Sequence, residues 1–155
     1  MNRPVLPLAL ARWRRRLFEA AGSARYSRLA LDDLDRKLEA HLDSDGGFFV
    51  EAGANDGLEQ SNTYYLERFR GWRGLLVEGM PELAARCRKN RPRAIVEEAA
   101  LVAEAAPGAT VEMRYAGLMS AVADAMGDAT AAHVQRGLAV QQIARSYAAR
   151  VPART

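Results

Sequence analysis

The chain has 155 residues, of which 49% are apolar and 26% charged, with a formal net charge of +3. That length supports one domain with a real core, and that composition excludes a disordered chain. The single cysteine, Cys87, excludes a disulfide framework or a cysteine-based metal site within the chain and points to a reduced, cytoplasmic setting.

The charge is unevenly placed. Arginines 3, 12, 14, 15, 16, 25 and 28 face one acid, Glu19, in the first 28 residues, so the rest of the chain is net acidic. A basic arm on an acidic domain argues against nucleic acid as the partner. No apolar run approaches the roughly 20 residues of a membrane span. The early V-L-P-L-A-L run precedes its positive charges, the wrong order for a secretory signal. We therefore read residues 1–25 as a basic arm and 26–155 as the domain.

The arm carries a helix, A-L-A-R-W-R-R-R-L-F-E-A-A, with Trp13, Leu17 and Ala20/Ala21 on one face and arginines on the other. The expectation is that the apolar face packs on the domain and the basic face meets solvent. Contact of residues 10–21 with a membrane surface or a partner is the lesser alternative. Residues 27–42 repeat Leu31, Leu34, Leu38 and Leu42 at helical spacing, predicting a helix that packs on a sheet, with His41 at its boundary. The run Asp43–Gly47 ends it.

Phe48–Glu51 then reads as a strand ending in an acid, followed by the turn Gly53-Ala54-Asn55-Asp56-Gly57 and a helix over about 58–69. Ser61, Asn62 and Thr63 lie in or near its first turn, as caps or polar ligands. Leu75–Glu78 is a second strand ending in an acid, Pro81 opens a helix over 82–89, and Ala94–Glu98 is a third strand. Strand, helix, strand, helix, strand predicts a parallel sheet. Residues 109–115 alternate as a further strand, 117–120 read as a loop, and 129–150 as an alanine-rich helix weakened at Gly137.

The glycine turn is not the G-x-G-x-x-G of a dinucleotide fold, because position 55 is Asn, which disfavours an NAD-dependent oxidoreductase. No Lys-Ser/Thr follows it, so it is not a phosphate-cradling loop either. Glu51 and Asp56 flank it and would repel a phosphate; they suit a cationic amine or sugar hydroxyls. Glu78 lies about 20 residues past the turn, where such folds place a carboxylate on ribose hydroxyls. Two strand-end acids with glycines between them fit S-adenosyl-L-methionine better than NAD.

G-G-F-F-V-E-A-G-A-N-D-G, S-N-T-Y-Y-L-E, G-W-R-G-L-L-V-E and N-R-P, in this order over about Tyr26–Leu101, resemble the N-terminal half of the FkbM-type S-adenosylmethionine-dependent methyltransferases, and M-S-A-V at 119–122 extends the match. The resemblance implies a Rossmann-like class I methyltransferase fold and methylation of a sugar, lipid or natural-product hydroxyl. By position it implies a cofactor loop of Glu51, Gly53, Ala54, Asn55, Asp56 and Gly57, with Asn62 at the start of the following helix, Glu78 on the ribose, and Glu98 and Ala99 near the adenine. The family's later block, D-x-x-x-D-x-E-G-x-E, is missing, so the expected domain is incomplete: about three parallel strands without the C-terminal ones. Strand 48–51 would then be an edge, open to self-association. No catalytic base is identifiable, and a non-catalytic module docking through its basic helix is the alternative function.

Overall fold

The computed structural model describes residues 7–123 and 127–155. Contacts divide the chain into two units, one of Met1–Gly47 with Glu59–Arg73 and one of Phe48–Leu58 with Gly74–Thr155.

The first unit is helical. Helix α1 spans Leu8–Ala20, a single 3-10 turn spans Leu31–Asp33, α2 spans Leu34–Glu39 and α3 spans Tyr64–Phe69. The long helix expected over 27–42 is thus reduced to its second half. Asp32 and Asp33 adopt left-handed backbone (φ 51° and 54°), which Asp tolerates and a continuing helix does not. The predicted packing stripe is also turned outward: Leu31, Leu34 and Leu38 are 57, 40 and 38% exposed, while Asp35 is buried. His41 is exposed.

The helix expected over 58–69 begins only at Tyr64. Ser61 Oγ accepts from the Tyr64 and Thr63 N–H groups at 3.2 and 3.4 Å, holding the preceding residues in a turn. Leu66 and Tyr64 are buried, and Tyr65 stacks on Phe69 at 5.5 Å. Arg28 lies over the Tyr65 ring at 3.2 Å and reaches Glu39. The Trp72 ring lies where a Cβ on Gly47 would stand, 2.6 Å away, so a side chain at 47 would displace the indole.

The second unit is α/β. Strands β1 (Phe48–Ala52), β2 (Arg73–Glu78) and β3 (Ile95–Glu98) form a three-stranded sheet in the order β1-β2-β3. β2 and β3 are parallel, with Leu75 opposite Ile95 and Glu78 opposite Glu98. Helix α4, Pro81–Asn90, joins them, with Pro81 in its first turn as expected. This is the parallel arrangement that the strand–helix alternation predicts. β1 is the sheet's edge: Phe49 and Glu51 are buried, while Phe48 and Val50 are 62 and 65% exposed.

A second sheet follows, in the order β4-β7-β5-β6, from β4 (Ala100–Leu101), β5 (Thr110–Arg114), β6 (Ala121–Val122) and β7 (Ala148–Arg154). β7 runs parallel to β4 and antiparallel to β5 over five residue pairs, Thr110–Pro152 to Arg114–Ala148. Here the sequence reading is corrected. Helix α5 covers only Ala129–Val140, and the end of the stretch read as helix belongs instead to the strand β7, whose Val151 and Ala153 are buried. Gly137 is a packing necessity rather than a weakness: a Cβ there would lie 2.8 Å from Met119 Cβ and 2.9 Å from Ala116 Cβ.

Candidate active site

The ends of β1 and β2 meet in the turn after β1. The Gly53 and Ala54 N–H groups both donate to the Val77 carbonyl, at 2.9 and 3.0 Å. Gly53, Asn55 and Gly57 all have positive φ (70°, 51° and 79°), which explains two glycines and an asparagine at these places. The Asn55 N–H donates to Glu78 Oε2 at 2.7 Å, and the Met80 N–H donates to Glu78 Oε1 at 2.8 Å. One carboxylate therefore ties the turn after β1 to the turn after β2. Burial pushes the Glu78 carboxyl above its usual range, against the lowering effect of these backbone donors.

Beside this tie lies a cavity of about 370 Å³, within the span of small-molecule sites. Ala52, Gly53 and Asn55 line it from the end of β1, and Val77, Glu78 and Gly79 from the end of β2. Ala99, Ala100 and Leu101, Leu83 of α4 and Met113 of β5 close further sides, together with Gly117, Leu118, Ser120 and Val122. Among the described residues, Glu78 is the one charged residue in that lining. The site is thus a mostly apolar concavity at the carboxyl ends of parallel strands, with a single carboxylate among its described residues. Its chemistry favours a ligand with hydroxyls or a positive charge and disfavours a phosphate.

Of the residues singled out in the sequence, Gly53, Asn55, Glu78 and Ala99 come together on this cavity. The others take different places. Glu51 shares a face of β1 with Phe49 and pairs with the buried Arg91 at 3.9 Å, and the Arg91 guanidinium lies 5.5 Å from the Phe49 ring centroid. Asp56 is fully buried, accepts from the Leu58 N–H at 3.0 Å and pairs with Arg86 at 2.8 Å. Ala54 is buried. The Gly57 carbonyl accepts from Arg91 Nη1 at 3.0 Å, and a Cβ on Gly57 would meet Arg91 Cγ at 2.7 Å and Cys87 Sγ at 2.9 Å. Glu98 bridges Arg88 at 3.2 Å. Asn62 belongs to the first unit, just before α3.

The end of α4 does work that the sequence reading gave to nothing. Arg86, Asn90 and Arg91 reach Asp56 Oδ2, the Asp56 carbonyl and the Gly57 carbonyl at 2.8, 2.7 and 3.0 Å. The acid of the glycine turn, Asp56, is thereby paired with a cation, and the turn is fixed by the end of α4. Cys87, on the same helix, is buried, and burial pushes its thiol up to about 11. Met113 was also missed as a cavity residue. A Cβ on Gly79 would stand 2.0 Å from its Sδ, so the glycine after the strand-end acid makes room for that side chain. The signal was present: a glycine directly following a strand-end acid marks a close approach. Its partner, about 30 residues on, was not.

No protein-family model matches the chain, and no curated protein matches it. Among solved structures, a TehB-like SAM-dependent methyltransferase from Corynebacterium glutamicum is similar at 20% identity, with a TM-score of 0.34. The match covers 58% of this chain and 45% of that one, so the chain spans less than half of that protein's length.

Proposed function

We propose that the second unit binds S-adenosyl-L-methionine and that the chain serves methyl transfer to a hydroxyl acceptor, as the FkbM-type resemblance implies. The observation that carries this is Glu78: a buried carboxylate at the carboxyl end of β2, held against the turn after β1, and the only charge among the described residues that line the cavity. The donor set fits the group. A carboxylate suits a ribose diol and disfavours a phosphate, and the apolar walls from Leu83, Ala99 and Met113 suit an adenine ring.

When bound, S-adenosylmethionine supplies an activated methyl group. The chain's own contribution is alignment and exclusion of water, the main requirements of a direct displacement. Leu101 and Leu118 line the cavity yet are 52 and 42% exposed, giving it an apolar mouth. That suits a hydroxyl carried on an apolar scaffold, a lipid or natural product rather than a bare sugar. Ser120 is committed to its own loop: its hydroxyl donates to the Gly117 carbonyl at 2.7 Å and accepts from the Ala116 N–H at 3.0 Å. The described lining offers no histidine.

Titration calorimetry with S-adenosylhomocysteine tests the reading. The wild-type chain should bind, and Glu78→Gln should bind about 10- to 100-fold more weakly, the cost of one to two hydrogen bonds to a charged acceptor. Because the carboxyl titrates above its usual range, affinity should fall as the pH drops into the weakly acid range, and Glu78→Gln should lose that dependence. A folded chain with no heat of binding, or a Glu78→Gln variant that binds as well as wild type, would refute the proposal.

A further inference from the structure

Helix α1 is docked the wrong way round for an ordinary amphipathic helix. Its buried residues are polar: Arg15 and Glu19 are 6 and 9% exposed. Glu19 Oε1 accepts from Ser27 Oγ and from Tyr64 Oη, both at 2.8 Å, and lies 3.5 Å from Arg15 Nε. The Arg15 guanidinium lies 4.8 Å from the Tyr64 ring centroid. The apolar stripe faces out instead. Leu10, Trp13 and Leu17 are 44, 59 and 48% exposed, the reverse of the sequence expectation for this helix.

At roughly 100° per residue, Arg14 and Arg16 fall on opposite borders of that stripe. Arg16 is exposed, and Arg14 is half-buried with its guanidinium 3.9 Å from the Tyr26 ring centroid. Glu19 is the only acid in the helix and is on its buried side. The outward surface is therefore apolar at the centre and cationic at both edges, with no carboxylate of its own. An apolar protein groove would explain the leucines but not the paired cationic borders. An anionic bilayer surface explains both, and the Trp13 indole suits the headgroup depth.

We propose that α1 is an interfacial helix that lays Leu10, Trp13 and Leu17 into the headgroup region of an anionic phospholipid surface, with Arg14 and Arg16 against lipid phosphates. The polar network of Arg15, Glu19, Ser27 and Tyr64 fixes the helix so that this stripe is displayed. The inference rests on the first unit alone and is independent of what fills the cavity of the second.

Co-sedimentation of the full chain with vesicles is the test, comparing phosphatidylcholine alone with phosphatidylcholine mixed with phosphatidylserine. Binding should be about tenfold or more tighter to the anionic vesicles and should weaken as salt is raised. Trp13→Glu should reduce it by about tenfold or more, and Arg16→Gln by about fivefold. Both side chains are exposed, so both variants should keep the wild-type circular dichroism spectrum. Trp13→Phe should still bind but lose the lipid-induced blue shift of tryptophan emission, which separates Trp13 from Trp72. Equal binding to both vesicle types, binding unchanged in Trp13→Glu, or no binding by a folded chain would overturn the proposal. Self-association without lipid that Trp13→Glu abolishes would also overturn it, in favour of a protein face.

Discussion

Removing Arg91 is a severe single perturbation of the second unit outside its cavity. Its guanidinium is fully buried, donates to the Gly57 carbonyl at 3.0 Å, lies 5.5 Å from the Phe49 ring centroid and faces Glu51 at 3.9 Å. Arg91→Met keeps much of the volume but leaves the buried Glu51 without that countercharge and the Gly57 carbonyl without that donor. Breaking one side of a buried pair costs about 3–5 kcal/mol. A chain of this size has about 5–15 kcal/mol in total, so a large share would go, with a fall in Tm of about 10 °C. The assay is a double-mutant cycle by thermal and urea melts with Glu51→Gln as the second variant. Glu51→Gln removes the charge, so the double variant should recover part of the loss, with a coupling of about 1–3 kcal/mol. A coupling below about 0.5 kcal/mol would refute the claim that Arg91 compensates Glu51. The same Arg91→Met variant should weaken S-adenosylhomocysteine binding, because the turn it supports from below carries Asn55 to Glu78.

Other predictions follow from single contacts. Gly57→Ala combines a left-handed φ of 79° with a Cβ 2.7 Å from Arg91 Cγ, and should cost about 2 kcal/mol or more in a urea melt. Burial, then the hydrogen bond to Glu19, raises the Tyr64 phenol from 10.0 to about 12. The folded chain therefore holds that proton longer than the unfolded chain. The resulting stability is complete below pH 10 and is lost as pH rises from 10 to 12. An alkaline melting series on Tyr64→Phe should show a shallower loss over that window. The edge strand β1, with Phe48 and Val50 exposed, should give association that grows with concentration in light scattering, and Val50→Lys should reduce it.

The parallel sheet was legible because each of its strands is an apolar run bounded by turn chemistry, and Pro81 marks the start of α4. Glu78 and Gly53 were legible because a strand-end acid and a glycine turn have a fixed meaning in such sheets. Glu51 was harder to place. Period-two alternation puts it on the face of Phe49, but Arg91, some 40 residues on, decides what that face meets. The helical patterns of the arm and of 27–42 were sound as contrast yet silent on direction: amphipathicity separates two faces without saying which is buried, and Arg15 in the one and Asp35 in the other are buried. The failed helix beyond Val140 has a different cause. Q-Q-I-A-R-S-Y-A-A-R-V is rich in helix formers, but five residue pairs with β5 outweigh that local preference.

One stretch of backbone belongs to both sheets. Residues 95–98 pair with β2, and Ala100 and Leu101, two steps later, pair with Ala153 and Arg154 of β7. Ala99 is the hinge pin between them; its N–H donates to the Glu78 carbonyl at 3.2 Å, and it lines the cavity. Fraying of β7 would therefore loosen one wall of the cavity, and anything bound there would resist the fraying. Thermodynamic linkage makes this reciprocal: ligand should slow amide hydrogen exchange in residues 148–154, which do not line the cavity, and a variant that frays β7 should release ligand faster.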